Sequence, residues 1–237
     1  MIPTMFLGGA SMQGAKWDSV DDPYWAQTTL LLRMNGAAGS ETFNDSSSFG
    51  REVLATGSDF WVTSEQSKSG GTSCRSNGDG GHLRATNSTA TELSGDFTVE
   101  AWIYWQATPS AGSAPFGLYK TGPTNMNVQR WTDNKLYTNE SGDKITGTTT
   151  VTDNVWHHVA LTRSGTTVRM WLDGVQEGST WTSSATYGIN GNYTYIGSAS
   201  DGGLVIGAST ADGYIDLVRI TKADRYGTSS FTPAADY

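Results

Sequence analysis

The sequence predicts an all-β protein in which two antiparallel sheets pack face to face as a sandwich. Its 237 residues include 29 Gly, many Ser and Thr, and only 16% charged residues, a composition that favours short strands and tight turns over long helices. Short segments of alternating apolar and polar residues are separated by turn sequences, and strands this short need a sheet to be stable. A sandwich of this length commonly forms one domain.

The first part of the chain departs from this pattern. Residues 1–28 contain Gly, Met, Pro and Trp without the period of a strand or a helix. We therefore predict an N-terminal docking arm at residues 1–28, held by its own domain or by a neighbouring subunit. A single domain is predicted at residues 29–237.

The strand pattern begins directly after the arm. Its first segment is Thr29–Met34, which the turn sequence Asn35-Gly36 closes. Shorter segments of the same character follow at Glu52–Thr56, Phe60–Thr63, Thr72–Arg75 and His82–Ala85. The only cysteine, Cys74, lies in one of them, which predicts a buried thiol and rules out a disulfide within the chain.

The longest alternating segment is Phe97–Trp105. One face carries Phe97, Val99, Ala101, Ile103 and Trp105, and the other carries Thr98, Glu100, Trp102 and Tyr104. Because both faces include large aromatic side chains, we expect a central strand that is covered on both sides.

A meander of three strands follows later in the chain. The segments Trp156–Arg163 and Thr167–Leu172 are joined at Ser164-Gly165, and Asp173-Gly174 leads into a strand that starts at Val175. Asp-Gly is typical of a type I′ turn, in which both central residues take positive φ. The last predicted strand is Tyr214–Ile220.

Charge and hydropathy exclude two classes of partner. The net charge is −8 and the Lys and Arg residues are scattered, so we expect no nucleic acid partner. No run approaches the roughly 20 apolar residues that span a bilayer, so we expect no membrane insertion. The start of the chain lacks the features of a secretory signal, and one cysteine fits assembly in a reducing cytosol.

Three segments resemble the motifs of laminin-G-like domains and occur in the same order along the chain. They are FTVEAW at 97–102, WHHVALTR at 156–163 with LDGV at 172–175, and GYIDLVRI at 213–220. The resemblance covers roughly residues 28–221, and Leu217 stands where the family often has Glu. It implies a jelly-roll sandwich of the concanavalin-A-like kind. The same sandwich carries lectins, adhesins, glucanases and spacers, so activity does not follow from it.

The tail, with RYG at 225–227 and FTP at 231–233, resembles the ending of laminin-G-like modules in bacteriophage structural proteins. This resemblance implies a non-enzymatic virion-surface protein, either a head decoration or fibre or a tail component, used for adhesion or glycan binding. Its expected partners are other virion proteins, bound through the arm, and a host-surface glycan. We expect a homo-oligomer or part of a larger assembly, located in the virion and assembled in the host cytoplasm.

The resemblance also suggests a calcium site. Laminin-G-like and pentraxin domains bind Ca²⁺ at a rim formed by a loop before an early strand and loops before the closing strand. The corresponding acidic residues are Asp79, Asp201 and Asp212, and carboxylate oxygens suit this hard cation. Each is followed by Gly, and Asp-Gly is also an ordinary turn sequence, so both interpretations stay open.

Sugar recognition needs an aromatic platform beside polar groups. Candidates are Trp131, Trp181, Tyr187, Tyr193 and Tyr195, although aromatic residues at this density also fill cores.

A glycan-active hydrolase remains an alternative, as does a bacterial adhesin module. The paired carboxylates of a retaining glycosidase are missing from the pattern, because Asp216 has Tyr214 and Val218 as its predicted same-face neighbours. His157 and His158 point to opposite faces of their strand and cannot act together.

Overall fold

The computed structural model describes residues 22–57, 60–77, 81–118, 125–199 and 213–236. Over these ranges the chain forms fifteen strands and two short 3-10 helices, at Trp25–Gln27 and Thr89–Thr91. Among the same residues no helix is long and apolar enough to cross a membrane. The strands are Thr28–Leu32 (β1), Val53–Thr56 (β2), Phe60–Thr63 (β3), Ser73–Ser76 (β4), His82–Thr86 (β5), Phe97–Trp105 (β6), Ser113–Leu118 (β7), Met126–Arg130 (β8), Leu136–Asn139 (β9), Asp143–Thr146 (β10), Trp156–Ser164 (β11), Thr167–Leu172 (β12), Val175–Thr182 (β13), Tyr193–Ile196 (β14) and Gly213–Thr221 (β15).

The strands form two antiparallel sheets, which confirms the predicted sandwich. Sheet A has the order β13-β12-β11-β6-β15-β4-β3, and β1 pairs with the second half of β15 beyond the end of β4. Sheet B has the order β10-β9-β8-β7-β14-β5-β2. Every pairing between these strands is antiparallel, as the jelly-roll prediction requires.

The main core lies between the two sheets, and β6 is central to sheet A. It pairs with β11 on one side and β15 on the other. All five residues of its predicted apolar face belong to the core. Trp105 at the end of this face is fully buried, and its indole nitrogen donates to the Ser113 hydroxyl at 3.1 Å.

The meander is confirmed, with one shift. Asp173 and Gly174 take φ values of 51° and 80°, so both central residues of the second turn have the predicted positive φ. The first turn consists of Gly165 and Thr166, because Ser164 still pairs with Thr167 at the end of β11.

Five of the seven strands of sheet B, β7 to β10 and β14, are absent from the sequence prediction. Three of them are only four residues long, a length at which the sequence pattern identified some strands, such as β3, and missed others. Strand β7 contains Pro115 and Gly117, both of which argue against a strand. Pro115 is tolerated because it lies where the register between β7 and β8 shifts.

The outer face of sheet A, which points away from the main core, is covered by the end of the chain. The indole nitrogen of Trp102 donates to the Ala234 carbonyl oxygen at 2.9 Å. Phe231 stacks on Tyr226 with 3.5 Å between ring centroids and packs edge-on against Trp171. Strand β6 is therefore covered on both faces, as its aromatic residues predicted.

Beneath this covering segment lies a buried ionic network. Glu100 Oε1 is 2.6 Å from Arg219 Nε, and Glu100 Oε2 is 3.1 Å from His158 Nε2. Arg225 makes two hydrogen bonds to the Asp22 carboxylate, at 3.0 and 3.1 Å. Burial raises the pKa of Glu100, but Arg219, His158 and Arg225 outweigh burial and hold that pKa well below its ordinary value. The network thus joins residues near both ends of the described chain.

A bulge in β15 corrects one predicted orientation. The register shifts between Asp216 and Arg219, and Leu217 has a φ of 51°. Val218 consequently points into the main core, whereas Leu217 packs beside Trp102 on the outer face. The prediction that Val218 shares a face with Asp216 was wrong, because the bulge breaks the two-residue period.

Candidate functional site

A shallow open cleft lies at one edge of sheet B, where the β8–β9 turn meets β10. Its volume is about 240 Å³. It is lined by Trp131, Thr132, Asp133, Tyr137 and Asp143. We call it the Trp131 cleft. It combines two aromatic rings with two carboxylates.

The cleft is shaped by the tight turn between β8 and β9. The Trp131 amide donates to the Lys135 carbonyl oxygen at 3.1 Å, and the Asn134 amide donates to the Trp131 carbonyl oxygen at 2.9 Å. Asn134 has a φ of 61°, a left-handed conformation that Asn tolerates better than most residues. This turn brings the half-buried Trp131 ring beside the exposed Asp133.

Asp133 is held as a carboxylate by its neighbours. It accepts hydrogen bonds from the Tyr137 hydroxyl at 2.8 Å and the Lys135 amide at 3.2 Å. Desolvation raises the pKa of Asp133, but these bonds and the Lys135 charge outweigh desolvation and lower it below its ordinary value. The same bond raises the pKa of Tyr137, so at neutral pH its hydroxyl keeps its proton and Asp133 is ionised.

Asp143 supplies the second carboxylate from the start of β10. One of its oxygens accepts a hydrogen bond from the side-chain amide of Asn139 at 3.0 Å, and the Asp143 side chain is exposed. A carboxylate has about four acceptor positions, so one such bond leaves capacity for the hydroxyl groups of a ligand. Aromatic faces with hydroxyl acceptors beside them are what a sugar ring requires.

The cleft lies at the end of a row that crosses sheet B on its outer face. The row follows the strand pairings Leu54, Arg84, Tyr195, Gly117, Asn127, Asn139 and Asp143. It is covered in the middle, because a Cβ atom at Gly117 would overlap the backbone of Ala199. Asn125 fixes this crossing by donating to the Ala199 carbonyl oxygen at 3.0 Å. The Trp131 cleft therefore adjoins the uncovered end of the row, at Asp143.

Only one of the aromatic candidates lines this cleft. Tyr187 is fully buried, and its hydroxyl donates to Glu140 at 2.6 Å, so its proposed place in a platform was wrong. Trp181 packs against the main core. Tyr193 and Tyr195 lie in β14 on the outer face of sheet B, with the Arg84 guanidinium 4.9 Å from the Tyr193 ring centroid.

The proposed calcium ligands Asp79, Asp201 and Asp212 lie outside the described residues. Within the described ranges, no group of three or more His, Cys, Asp or Glu side chains could hold a metal ion. Ser76 lies at the end of β4, two residues before one undescribed segment, and it pairs with Gly213 at the start of β15, which directly follows another. Calcium binding stays a prediction.

The other candidate titratable residues belong to sheet A, and only some of them lie beneath the chain end. Burial raises the pKa of Asp216 to about 7, although its carboxylate accepts backbone hydrogen bonds from Lys68, Ser69 and Leu217. His158 packs against Trp102 on the next strand, with 5.3 Å between ring centroids. His157 lies on the other face of β11, and its Nδ1 is 2.7 Å from Asp173 Oδ2. These groups are positioned as parts of the fold, away from the cleft.

Several solved structures share this fold. The binding domain of Paraclostridial mosquitocidal protein 1 is 11% identical with a TM-score of 0.64, over 85% of this chain and 50% of that chain. Botulinum neurotoxin type C, which interacts with two ganglioside molecules, is 15% identical with a TM-score of 0.61, over 84% and 49%. The sialidase of Trypanosoma rangeli is 14% identical with a TM-score of 0.59, over 84% and 31%. This chain spans half or less of each of these proteins, and identities this low show a common fold alone.

No curated protein matches the sequence significantly. A family model described as the concanavalin A-like lectin/glucanases superfamily, of the laminin-G type, matches residues 77–225. This match covers more than half of the chain and includes strands β5 to β15, which form most of both sheets. The chain therefore belongs to the concanavalin A-like lectin/glucanase superfamily.

Proposed function

We propose that this protein is a non-enzymatic module that binds glycans through the Trp131 cleft. The observation that carries the proposal is the half-buried Trp131 beside Tyr137, with the carboxylates of Asp133 and Asp143 in the same open cleft. A sugar ring can stack its C–H face on the aromatic rings while its hydroxyls donate to the carboxylates. The fold of the ganglioside-interacting neurotoxin supports a glycan ligand by analogy.

We further propose that the module is displayed on a virion surface, as a head decoration or fibre or as a tail component. The likeness of the tail at residues 225–233 to modules of bacteriophage structural proteins supports this setting. In it the N-terminal arm binds other virion proteins, copies of the chain assemble into an oligomer or a larger structure, and the glycan belongs to the host surface. Purified virions that lack the chain would argue against this placement.

A glycan hydrolase is the second candidate, because the fold is shared with a sialidase and the cleft holds two carboxylates. A general acid needs a carboxyl pKa raised towards the working pH. The pKa of Asp133 is lowered instead, which favours binding over hydrolysis. Release of reducing sugar from a glycan that the protein binds, abolished by Asp133→Asn, would establish the hydrolase.

A glycan array with wild type and Trp131→Ala tests the binding proposal. We expect Trp131→Ala to weaken binding by at least about tenfold, since buried aromatic anchors dominate interface energies. Trp61→Ala is the matched control, because this half-buried Trp lies in edge strand β3 of the other sheet. Equal binding by wild type and Trp131→Ala would overturn the proposal. The same array with a chelator tests calcium dependence.

A further inference from the structure

We infer that the Trp131 cleft accepts a terminal uncharged sugar and discriminates against sialylated glycans. This inference rests on the proposed function and deepens it. Its basis is the charge and the hydrogen-bonding character of the lining residues, together with the size of the cleft.

The charge of the cleft is negative. Of its lining residues Asp133 and Asp143 are acidic, and none of these described lining residues is basic. Lys135 acts on Asp133 from the same turn, and the fully buried Arg130 guanidinium donates to Asn134 of that turn. Lys144 follows Asp143, and its ammonium lies 6.0 Å from the centroid of the Trp181 ring. The whole chain also carries a net charge of −8. A sugar carboxylate in this cleft would therefore meet like charges in close contact, which opposes binding.

The hydrogen-bonding groups point to the same ligand class. The two carboxylates are acceptors only, and the Tyr137 hydroxyl already donates to Asp133. The Thr132 hydroxyl and the Trp131 indole N–H are the remaining side-chain donors in the lining, and both are neutral. A neutral sugar offers many hydroxyl donors and fits an acceptor-rich site. A sialic acid carboxylate needs several donors, as Arg would supply.

The size of the cleft limits how much of a glycan it holds. Its volume of about 240 Å³ is below the roughly 300 Å³ at which pockets for drug-sized ligands begin. The Ala199 backbone covers Gly117 in the middle of the outer row, so a long chain cannot continue across the sheet along this row. The cleft suits one or two sugar rings at the end of a glycan.

The experiment compares neutral hexose-terminated glycans with the same glycans carrying a terminal sialic acid. We expect wild type to bind the sialylated member of each pair about tenfold or more weakly. The difference should shrink when the salt concentration is raised, because salt screens exposed charges. The variant D133N/D143N should reduce the difference, since the amides keep the shape of the side chains and remove both charges.

The matched control is E41Q/E52Q, which changes the net charge equally at two exposed positions outside the cleft. We expect this control to keep the wild-type preference. Trp131-dependent binding of sialylated glycans at equal or greater strength than their neutral partners would overturn the inference and leave the proposed function standing. Absence of any Trp131-dependent binding would overturn both.

Discussion

Replacing Glu100 by Gln should destabilise the protein strongly, because Glu100 is the central anion of the network beneath the chain end. Its side chain is fully buried and lies 2.6 Å from Arg219 and 3.1 Å from His158. The amide of Gln is neutral, so two guanidinium groups, those of Arg219 and Arg225, would remain with the single carboxylate of Asp22. Burying an uncompensated charge is costly even when a hydrogen bond survives.

The magnitude follows from the remaining partners. Removing one partner of a buried ion pair costs about 3–5 kcal/mol. Asp22 still lies 3.5 Å from Arg219 and binds Arg225 directly, so we expect the lower end of this range. Since domains are stable by only about 5–15 kcal/mol, a loss of about 3 kcal/mol is a large fraction of the total.

Urea unfolding followed by Trp fluorescence measures this loss, with Glu41→Gln as an exposed control. The pKa of Glu100 is lowered on folding, so its ionic stabilisation is complete above the unfolded pKa of about 4.3 and is lost as the pH falls below it. Glu100→Gln should therefore differ most from wild type near pH 7 and less in acid. A loss of under about 0.5 kcal/mol at pH 7, within the range of surface substitutions, would refute the reasoning.

Three further predictions concern the turn at Gly174, the buried Asp216 and the cleft. Gly174 has a φ of 80°, and an added Cβ would overlap the Phe231 carbonyl oxygen. Gly174→Ala should therefore lower the unfolding free energy by more than about 1 kcal/mol and expose the chain end to proteases. Protection like that of wild type in limited proteolysis would contradict this. The pKa of Asp216 is raised to about 7, so wild-type stability should fall as the pH rises from about 4 to 7, whereas Asp216→Asn should lack this slope in urea unfolding. A slope shared by both proteins would assign it to other groups. Glycan binding should weaken in acid, as the pH falls through the lowered pKa of Asp133. Titration calorimetry from pH 7 down to the lowest pH at which the protein stays folded measures this, and Asp133→Asn, which removes the group, should lack the decline; the same decline in both proteins would contradict the assignment.

The central strands of sheet A could be predicted in detail because they are long. Strands β6, β11 and β15 have nine residues each, enough for the alternation of side chains to identify both faces. Even there the bulge at Leu217 was not predicted, and the Asp216 carboxylate beside it accepts hydrogen bonds from the backbone amides of Lys68 and Ser69, which are distant in sequence. Local alternation contains no information on such distant partners.

The cleft could be predicted only in part, for the same reason. Trp131 was recognised as an aromatic candidate, but Asp133, Tyr137 and Asp143 were not associated with it. These side chains meet because β8, β9 and β10 form consecutive hairpins, and none of these three strands was predicted from the sequence. The turn residues Asp133-Asn134 and the sequence Ser141-Gly142-Asp143 are the signals that could have located the hairpins.

The two outer faces of the sandwich are occupied differently, and this difference bears on how such a module can work. On sheet A, the segment that ends near Ala234 covers β6, and Asp22 is bound to Arg225 of the same segment. Both ends of the described chain are therefore fixed on one side of the sandwich. The Trp131 cleft belongs to sheet B, on the opposite layer. The described chain thus starts, at Asp22, on the sheet A side of the sandwich and opposite the layer that carries the cleft, an arrangement compatible with the docking proposed above.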